Sequence, residues 1–369
     1  MAIFGNLFKT EQKSVLGVDI GTSAIKIVQI SKKNGQAVLE TYGELALGPY
    51  SGATVGQAVS LPAEKVAEAV KDLINEKEVK VTTRKSGVSI PFASSLMASI
   101  EMPVVPEKQL VTMVPLEARK YIPVPINEVQ LDWSVIPKDP DAVPQLAKDG
   151  EPLIKLVPKL EVLVVAIHND ILQRFKTIVD QSGLLASFFE IELFSTMRAV
   201  VEDGLKPVMI MDIGAASTKL YIVERGVIRG SHTVSRGSQD ITQNISQSLS
   251  IPIDKAELMK REHGLLGEQQ LTEIISLSLD YIMEEANRTL LSFEKKYNKT
   301  VSKVILVGGG ATLKGLPAIA KESFKTETEL GDPFSKLATP AFLEHILKET
   351  GPEFAVAIGL ALRRLSEEG

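Results

Sequence analysis

The chain has 369 residues, 44% hydrophobic and 24% charged, which is ordinary for a globular protein and long enough that two or more domains are expected. A net charge of −5 gives no basic bias and argues against a dedicated nucleic-acid binder. With no cysteine, disulfides, thiolate catalysis and thiolate metal sites are excluded.

Residues 1–9, Met-Ala-Ile-Phe-Gly-Asn-Leu-Phe-Lys, lack the long apolar core of a signal peptide. Ile3, Phe4, Leu7 and Phe8 fall on one helical face beside Lys9 and Lys13. They read either as a short helix touching a membrane or partner, or as a terminus that packs locally. No stretch anywhere approaches the ~20 apolar residues of a membrane helix.

Residues 14–48 predict a hairpin and a further strand. Within the hairpin, Asp19-Ile20-Gly21-Thr22-Ser23-Ala24-Ile25-Lys26 separates the apolar runs Val15–Val18 and Ile27–Ile30. Residues 62–76 predict an amphipathic helix whose apolar face is Val66, Ala69, Val70, Leu73 and Ile74. A short buried strand follows at 87–91. A block of different texture then reads strand (95–102), helix (107–120), strand (129–136), strand (160–168) and helix (169–182). Pro115 is expected to kink or interrupt the first of these helices, because it removes a donor and crowds the preceding turn. Residues 137–159, rich in Pro, Asp and Lys, read as the exposed tip between two strands. Trp133 is expected in this block's core, the alternative being a partner-anchoring aromatic.

The second half opens on a repeat. Asp212-Ile213-Gly214-Ala215-Ala216-Ser217-Thr218-Lys219 has the same Asp-Ile-Gly-x-x-x-x-Lys form and the same apolar flanks, Val208–Met211 and Leu220–Val223. Gly21 and Gly214 let a ligand approach the backbone, and small residues follow (Thr22 and Ser23; Ala215, Ser217 and Thr218). Successive N–H groups in such a turn make an anion-binding concavity. Asp19 and Asp212 cannot ligate phosphate, but each can hold a hydrated divalent cation that neutralises it. Two copies in one register point to two related domains gripping one polyphosphate. Helices are expected at 240–249, at 253–262 with Asp254 as N-cap, and at 271–297. The strand Val304–Val307 then runs into Gly308-Gly309-Gly310, whose bare backbone can face a flat ring or ribose, with a helix expected to begin near Thr312. A small-residue helix over 355–365 ends the chain. His168, His232, His263 and His345 have no metal-ligand spacing.

Two phosphate hairpins followed by strand, triple glycine and helix resemble the actin-like ATPase superfamily. Within it the chain is similar to the PilM family of type IV pilus assembly, over about residues 14–365. The similarity is carried by Leu16–Lys26, by Met102-Pro103-Val104-Val105-Pro106-Glu107, by Glu117–Pro123 and by Leu131–Ile136. It implies a two-lobed α/β fold with an inserted small α+β subdomain. The parts would be a tail (1–13), a first lobe (14–92, completed by 183–207 and a returning helix over 346–369), the insert (93–182) and a second lobe (208–345). It implies ATP with Mg2+ in the cleft, the ion at Asp19 and Asp212. The phosphates would lie at Gly21, Thr22, Ser23, Lys26, Gly214, Ala215, Ser217, Thr218 and Lys219, and the adenosine at Gly308, Gly309, Gly310 and Thr312.

Glu192 and Asp212 are the candidate catalytic residues. Glu192 would orient the attacking water, against the alternative of helix capping, and Leu193 stands where the family usually has proline. Glu257 and Lys260, i and i+3 on one helix, would reach ribose and adenine, against the alternative of an exposed ion pair. The resemblance further implies slow turnover, a cytoplasmic place at the inner face of the membrane reached only through partners, and docking of the cytoplasmic tail of membrane-anchored PilN among other pilus assembly proteins. That tail is expected between the first lobe and the insert, with Met102, Pro103, Leu110, Tyr121 and Ile122 as lining residues; the alternative is that they form the insert's core. An FtsA-like filament protein would carry a C-terminal amphipathic membrane helix, and a small-molecule kinase would show a polar pocket in the insert. Neither feature is evident in the sequence.

Overall fold

The computed structural model describes residues 14–137, 159–202 and 205–367. The expectations for the N-terminal tail and for the tip between 137 and 159 lie outside them.

In chain order the elements are β1 (Ser14–Ile20), β2 (Ala24–Lys33), β3 (Gln36–Ala46), α1 (Ala63–Asn75) and β4 (Lys85–Ile90). Next come β5 (Ser95–Pro103), α2 (Glu107–Ala118), β6 (Val129–Ile136), β7 (Lys159–His168) and α3 (Asn169–Ser182), then β8 (Leu185–Ile191) and α4 (Glu192–Val200). The second half holds β9 (Val208–Ile213), β10 (Thr218–Glu224), β11 (Val227–Val234), α5 (Ser238–Leu249), α6 (Ile253–His263) and α7 (Gln269–Tyr297). It closes with β12 (Lys303–Val307), α8 (Leu316–Phe324), β13 (Glu327–Leu330), α9 (Glu344–Thr350) and α10 (Ala355–Glu367).

Two compact units result, Met1–Pro91 with Thr177–Gly369, and Phe92–Lys176. The first contains two five-stranded sheets built on one plan, in the orders β3-β2-β1-β4-β8 and β11-β10-β9-β12-β13. In each, an antiparallel hairpin pairs Asp with Lys across the turn, Asp19 with Lys26 and Asp212 with Lys219. In each, the leading strand continues into parallel pairing, β1 with β4 and β9 with β12. The repeated motif is therefore the visible part of a repeated sheet. The leading strands are central, so they bury both faces and read as unbroken apolar runs rather than alternating ones; Val15, Leu16, Val18, Met209, Ile210 and Met211 are all buried.

α10 packs on β1 and α4. A side chain at Gly17 would overlap Ala357 O, and one at Gly359 would overlap Ser195 O, so both contacts are backbone on backbone. Glu190 of β8 ties this layer together, accepting hydrogen bonds from Arg198, Ser195 and Arg363.

The second unit has a three-stranded antiparallel sheet in the order β5-β7-β6. Its core joins Ile100 and Met102 of the sheet to Leu110, Val114 and Ala118 of α2, with Ile122, and Trp133 packs partly buried against it. Pro115 does not interrupt α2, which runs from Glu107 to Ala118. Leu110, Val114 and Ala118, spaced four apart and buried, hold the last turns against the sheet.

Two boundary expectations are corrected. α6 starts after Pro252, so Asp254 lies inside the first turn, where a carboxylate favours the helix dipole, and is not the N-cap. No α-helix begins near Thr312: Gly309–Thr312 is one 3-10 turn, and α8 starts at Leu316 after Gly315 in the left-handed region.

Candidate functional site

The two hairpin turns share one hydrogen-bond plan. Gly21 N–H donates to Ala24 O at 3.0 Å, and Gly214 N–H to Ser217 O at 2.9 Å. The turn carbonyls are taken by neighbouring loops: Thr22 O by Val59 N–H, Ser23 O by Leu47 N–H, Gly214 O by Ser238 N–H and Ala215 O by Gln239 N–H. Among the described residues, nothing accepts from the N–H groups of Thr22, Ser23, Ala215, Ala216 or Ser217. Carbonyls held from behind with amides left free are the arrangement an anion-binding turn requires, and each half has it. Thr218 differs from its expected role, since its buried hydroxyl donates to Arg236 O and braces the turn.

Between the turns lies a charged floor. Lys219 Nζ donates to Glu192 Oε2 at 2.9 Å and to Asp212 Oδ2 at 3.3 Å, so a lysine of the second half grips the first residue of α4. The Glu192 side chain forms an ion pair with Lys219, so it does more than start α4. Burial acts to lower the Lys219 pKa, but Asp212 and Glu192 outweigh it and hold the ammonium well above its usual range. Asp19 sits opposite, accepting from Ser89 Oγ at 2.8 Å. Burial, then the charge of Glu192, push its carboxyl up to about 6. Lys26 faces Glu44 at 3.3 Å and Glu353 at 3.8 Å. Burial works against its charge, yet those two carboxylates raise its pKa overall.

The triple glycine closes another side. Gly308 has φ +83°, and a Cβ there would overlap Asp212 Oδ1 and sit 2.6 Å from Ile213 O. Only glycine lets β12 turn this tightly over the Asp212 strand. Gly309 is exposed, and Thr312 Oγ1 donates back to Gly309 O at 2.8 Å.

Glu257 and Lys260 are both buried, so they are not an exposed pair. Lys260 Nζ meets Glu257 Oε2 at 2.7 Å, and Thr242 and Arg261 also donate to Glu257. Burial tends to raise the Glu257 pKa, but Lys260 more than offsets it and the carboxyl stays low.

The five expected peptide-lining residues separate. Met102, Leu110 and Ile122 are in the core of the second unit, which is a correction: a side chain under 10% exposed presents no docking surface. Burying these three alternating and helical-face positions is what closes the sheet against α2. Pro103 and Tyr121 are exposed.

Ser89, Gln239 and Glu353 also shape the site and were missed from sequence. Ser89 lay in a strand recognised only as apolar, and Gln239 and Glu353 belong to no motif.

The residues suit a polyphosphate, with free amides in series and no turn side chain larger than serine or threonine. Among the described residues no three His, Asp or Glu side chains group closely enough to hold a metal themselves. That donor set fits Mg2+ bound through one or two carboxylates plus phosphate oxygens and water, not a protein cage. Among the described residues no helix is long and apolar enough to cross a membrane.

A family model described as type IV pilus assembly protein PilM matches residues 17–365. A solved PilM–PilN type IV pilus biogenesis complex is 26% identical, with a TM-score of 0.77 over 95% of this chain and 98% of that one. MreB5 of Spiroplasma citri, solved bound to AMPPNP, is 11% identical with a TM-score of 0.52 over 97% and 98%, a likeness of fold alone. The cell division protein FtsA of Pseudomonas aeruginosa is 23% identical over 92% of this chain and 88% of its own length. The fold is that of the actin-like ATPases, with the small α+β unit inserted in it.

Proposed function

Because this chain belongs to the PilM family of type IV pilus assembly proteins, we propose that it works as a nucleotide-gated adaptor. It binds ATP with Mg2+ between its paired turns, hydrolyses it slowly, and docks the cytoplasmic tail of membrane-anchored PilN. One observation carries the nucleotide half: the same amide-lined turn, with Asp and Lys paired in the same register, occurs in both halves of one unit.

The roles follow from the residues. The amides of Thr22, Ser23, Ala215, Ala216 and Ser217 bind phosphate oxygens, with Gly21 and Gly214 keeping the approach open. Lys26 and Lys219 supply positive charge beside them. Asp19 and Asp212 face the ion, which when bound neutralises phosphate charge. Lys219 holds the Glu192 carboxylate in place to orient the attacking water. Glu257 and Lys260 lie toward the ribose, and Gly308, Gly309, Gly310 and Thr312 leave an uncluttered wall for adenosine. The PilN half is supported by the similar complex and needs no membrane span in the described residues. It gives the protein a peripheral place at the inner face of the cytoplasmic membrane.

The test is thermal melting of the full chain with ATP and Mg2+, and then with a peptide of the PilN cytoplasmic tail. A ligand that binds the native state raises the melting temperature, increasingly so as its concentration exceeds its dissociation constant. Each ligand should do so. No shift at millimolar ATP removes the nucleotide half, and no shift with the peptide removes the docking half.

A further inference from the structure

The loop between β3 and α1 reaches both halves of the site. Its Leu47 and Val59 amides hold the carbonyls of the first turn, at Ser23 and Thr22. One residue before Val59, Ala58 N–H donates to Gln239 Oε1 at 3.1 Å. Gln239 is the second residue of α5, and its own N–H donates to Ala215 O of the second turn at 3.0 Å. A single residue thus holds the second turn by its backbone and, by its side chain, the loop that holds the first. The links form a chain of consecutive hydrogen bonds: Thr22 O, Val59, Ala58, Gln239, Ala215 O.

A second contact fixes the same loop. Gly56 has φ +88°, and a Cβ on it would lie 2.7 Å from Glu257 Oε1. The loop backbone therefore rests directly against the Glu257 carboxylate, and α5 and α6 present Gln239 and Glu257 to it side by side. Gln239 is only partly buried, and its side-chain oxygen accepts from the loop at Ala58.

We propose that Gln239 is a positioning residue that couples the two turns, so that their free amides converge on one phosphate chain instead of acting as two independent receptors. The inference rests on the nucleotide reading above. With the side-chain link cut, the second turn keeps its Gln239 N–H bond, while the loop behind the first loses its hydrogen bond to the other half and keeps only the packing of Gly56 on Glu257. Each turn stays folded; what changes is their relative placement, and with it the number of amides a ligand can meet at once.

The test compares Gln239→Ala, Gln239→Glu and, as a control one turn along α5 on its exposed face, Gln243→Ala, all in the full chain. Glutamate keeps an acceptor oxygen for Ala58 N–H; alanine does not. In the absence of nucleotide, hydrogen exchange over residues 47–59 should speed up in Gln239→Ala and return to parental rates in Gln239→Glu. Parental exchange there in Gln239→Ala overturns the inference, whatever the chain binds. With ATP and Mg2+, parental protein should gain protection at both Thr22–Ser23 and Ala215–Ser217. In Gln239→Ala, protection should persist at the second turn and be lost at the first, with affinity about three- to tenfold weaker, the equivalent of one hydrogen bond. Equal protection of both turns in that variant also overturns it. If parental protein gains no protection, the nucleotide reading fails, while the exchange measured without nucleotide still decides the tether.

Discussion

Replacing Lys219 by methionine keeps the length and most of the volume of the side chain and removes its charge. Lys219 Nζ is the shared donor to Glu192 and Asp212, with side chains only 14%, 10% and 8% exposed. Asp19 is close enough to feel its charge. The substitution leaves three acidic groups facing one another with their common cation gone. Breaking a buried pair by removing one partner costs about 3–5 kcal/mol. Because the side chains retain some solvent contact, the lower end, about 3 kcal/mol, applies. At about 2.1 cal/mol/K of unfolding entropy per residue, a chain of 369 residues shifts by roughly 1–2 °C per kcal/mol, so the melting temperature should fall by about 3–6 °C. The pH dependence separates this from a packing defect. Burial and Glu192 already push the Asp19 carboxyl up to about 6 and Lys219 holds it down, so losing the ammonium raises it further above its value in the unfolded chain. A raised pKa contributes stability at low pH that is lost as pH rises through the folded value. The deficit relative to parental protein should therefore be larger at pH 8 than at pH 5. Denaturant midpoints at both pH values check this. A deficit that is absent, or that grows toward pH 5, would refute the electrostatic account of the cleft floor.

Asp19→Asn probes the same floor from the other side. Its carboxyl moves from an ordinary 3.8 to about 6, so the folded state favours the protonated form and loses that advantage between about pH 4 and pH 6. At pH 7.5 the variant should be more stable than the parent, with a ceiling of about 3 kcal/mol, and the gap should close by pH 4; equal stability across that range contradicts it. Despite that gain it should bind ATP with Mg2+ more weakly, seen as a lower affinity in the presence of the ion. Gly308→Ala forces a side chain into the left-handed region and against Asp212, and should cost at least about 1–2 kcal/mol in melting experiments. In the second unit, Leu110→Ala should cost about 2–5 kcal/mol as a core deletion. Tyr121→Ala, at an exposed site, should leave stability unchanged and lower affinity for the PilN tail; a reversed pattern would remove Tyr121 from the docking surface.

The hairpin pair, the triple glycine and every main element of the inserted unit were legible because each has a local signature. Turn glycines, uninterrupted apolar runs and 3.6-residue periodicity depend on near neighbours in sequence. β8 and α4 were not resolved as elements. Leu185–Ile191 mixes exposed and buried positions at a sheet edge, and α4 gains its place from α10, which arrives from the far end of the chain. The bond of Lys219 to Glu192 was invisible for the same reason, although both residues were singled out. Their partnership is set by how two sheets face each other, and no spacing encodes it. Lining residues were misjudged in the insert because Met102, Leu110 and Ile122 are apolar in a distinctive motif, and motif membership does not distinguish a core from a surface. Gln239 and Ser89 carried no signal, since a lone amide or hydroxyl acquires its role only from what the fold sets beside it.

The central claim is that two repeated turns form one nucleotide receptor. Calorimetric titration of the full chain with ATP in the presence of Mg2+, repeated with Asp212→Ala, tests it most directly. The account predicts saturable heat at one site per chain, and a weaker, ion-insensitive isotherm for the variant with the fold retained. The absence of heat at millimolar ATP, or identical isotherms for parent and variant, would contradict it.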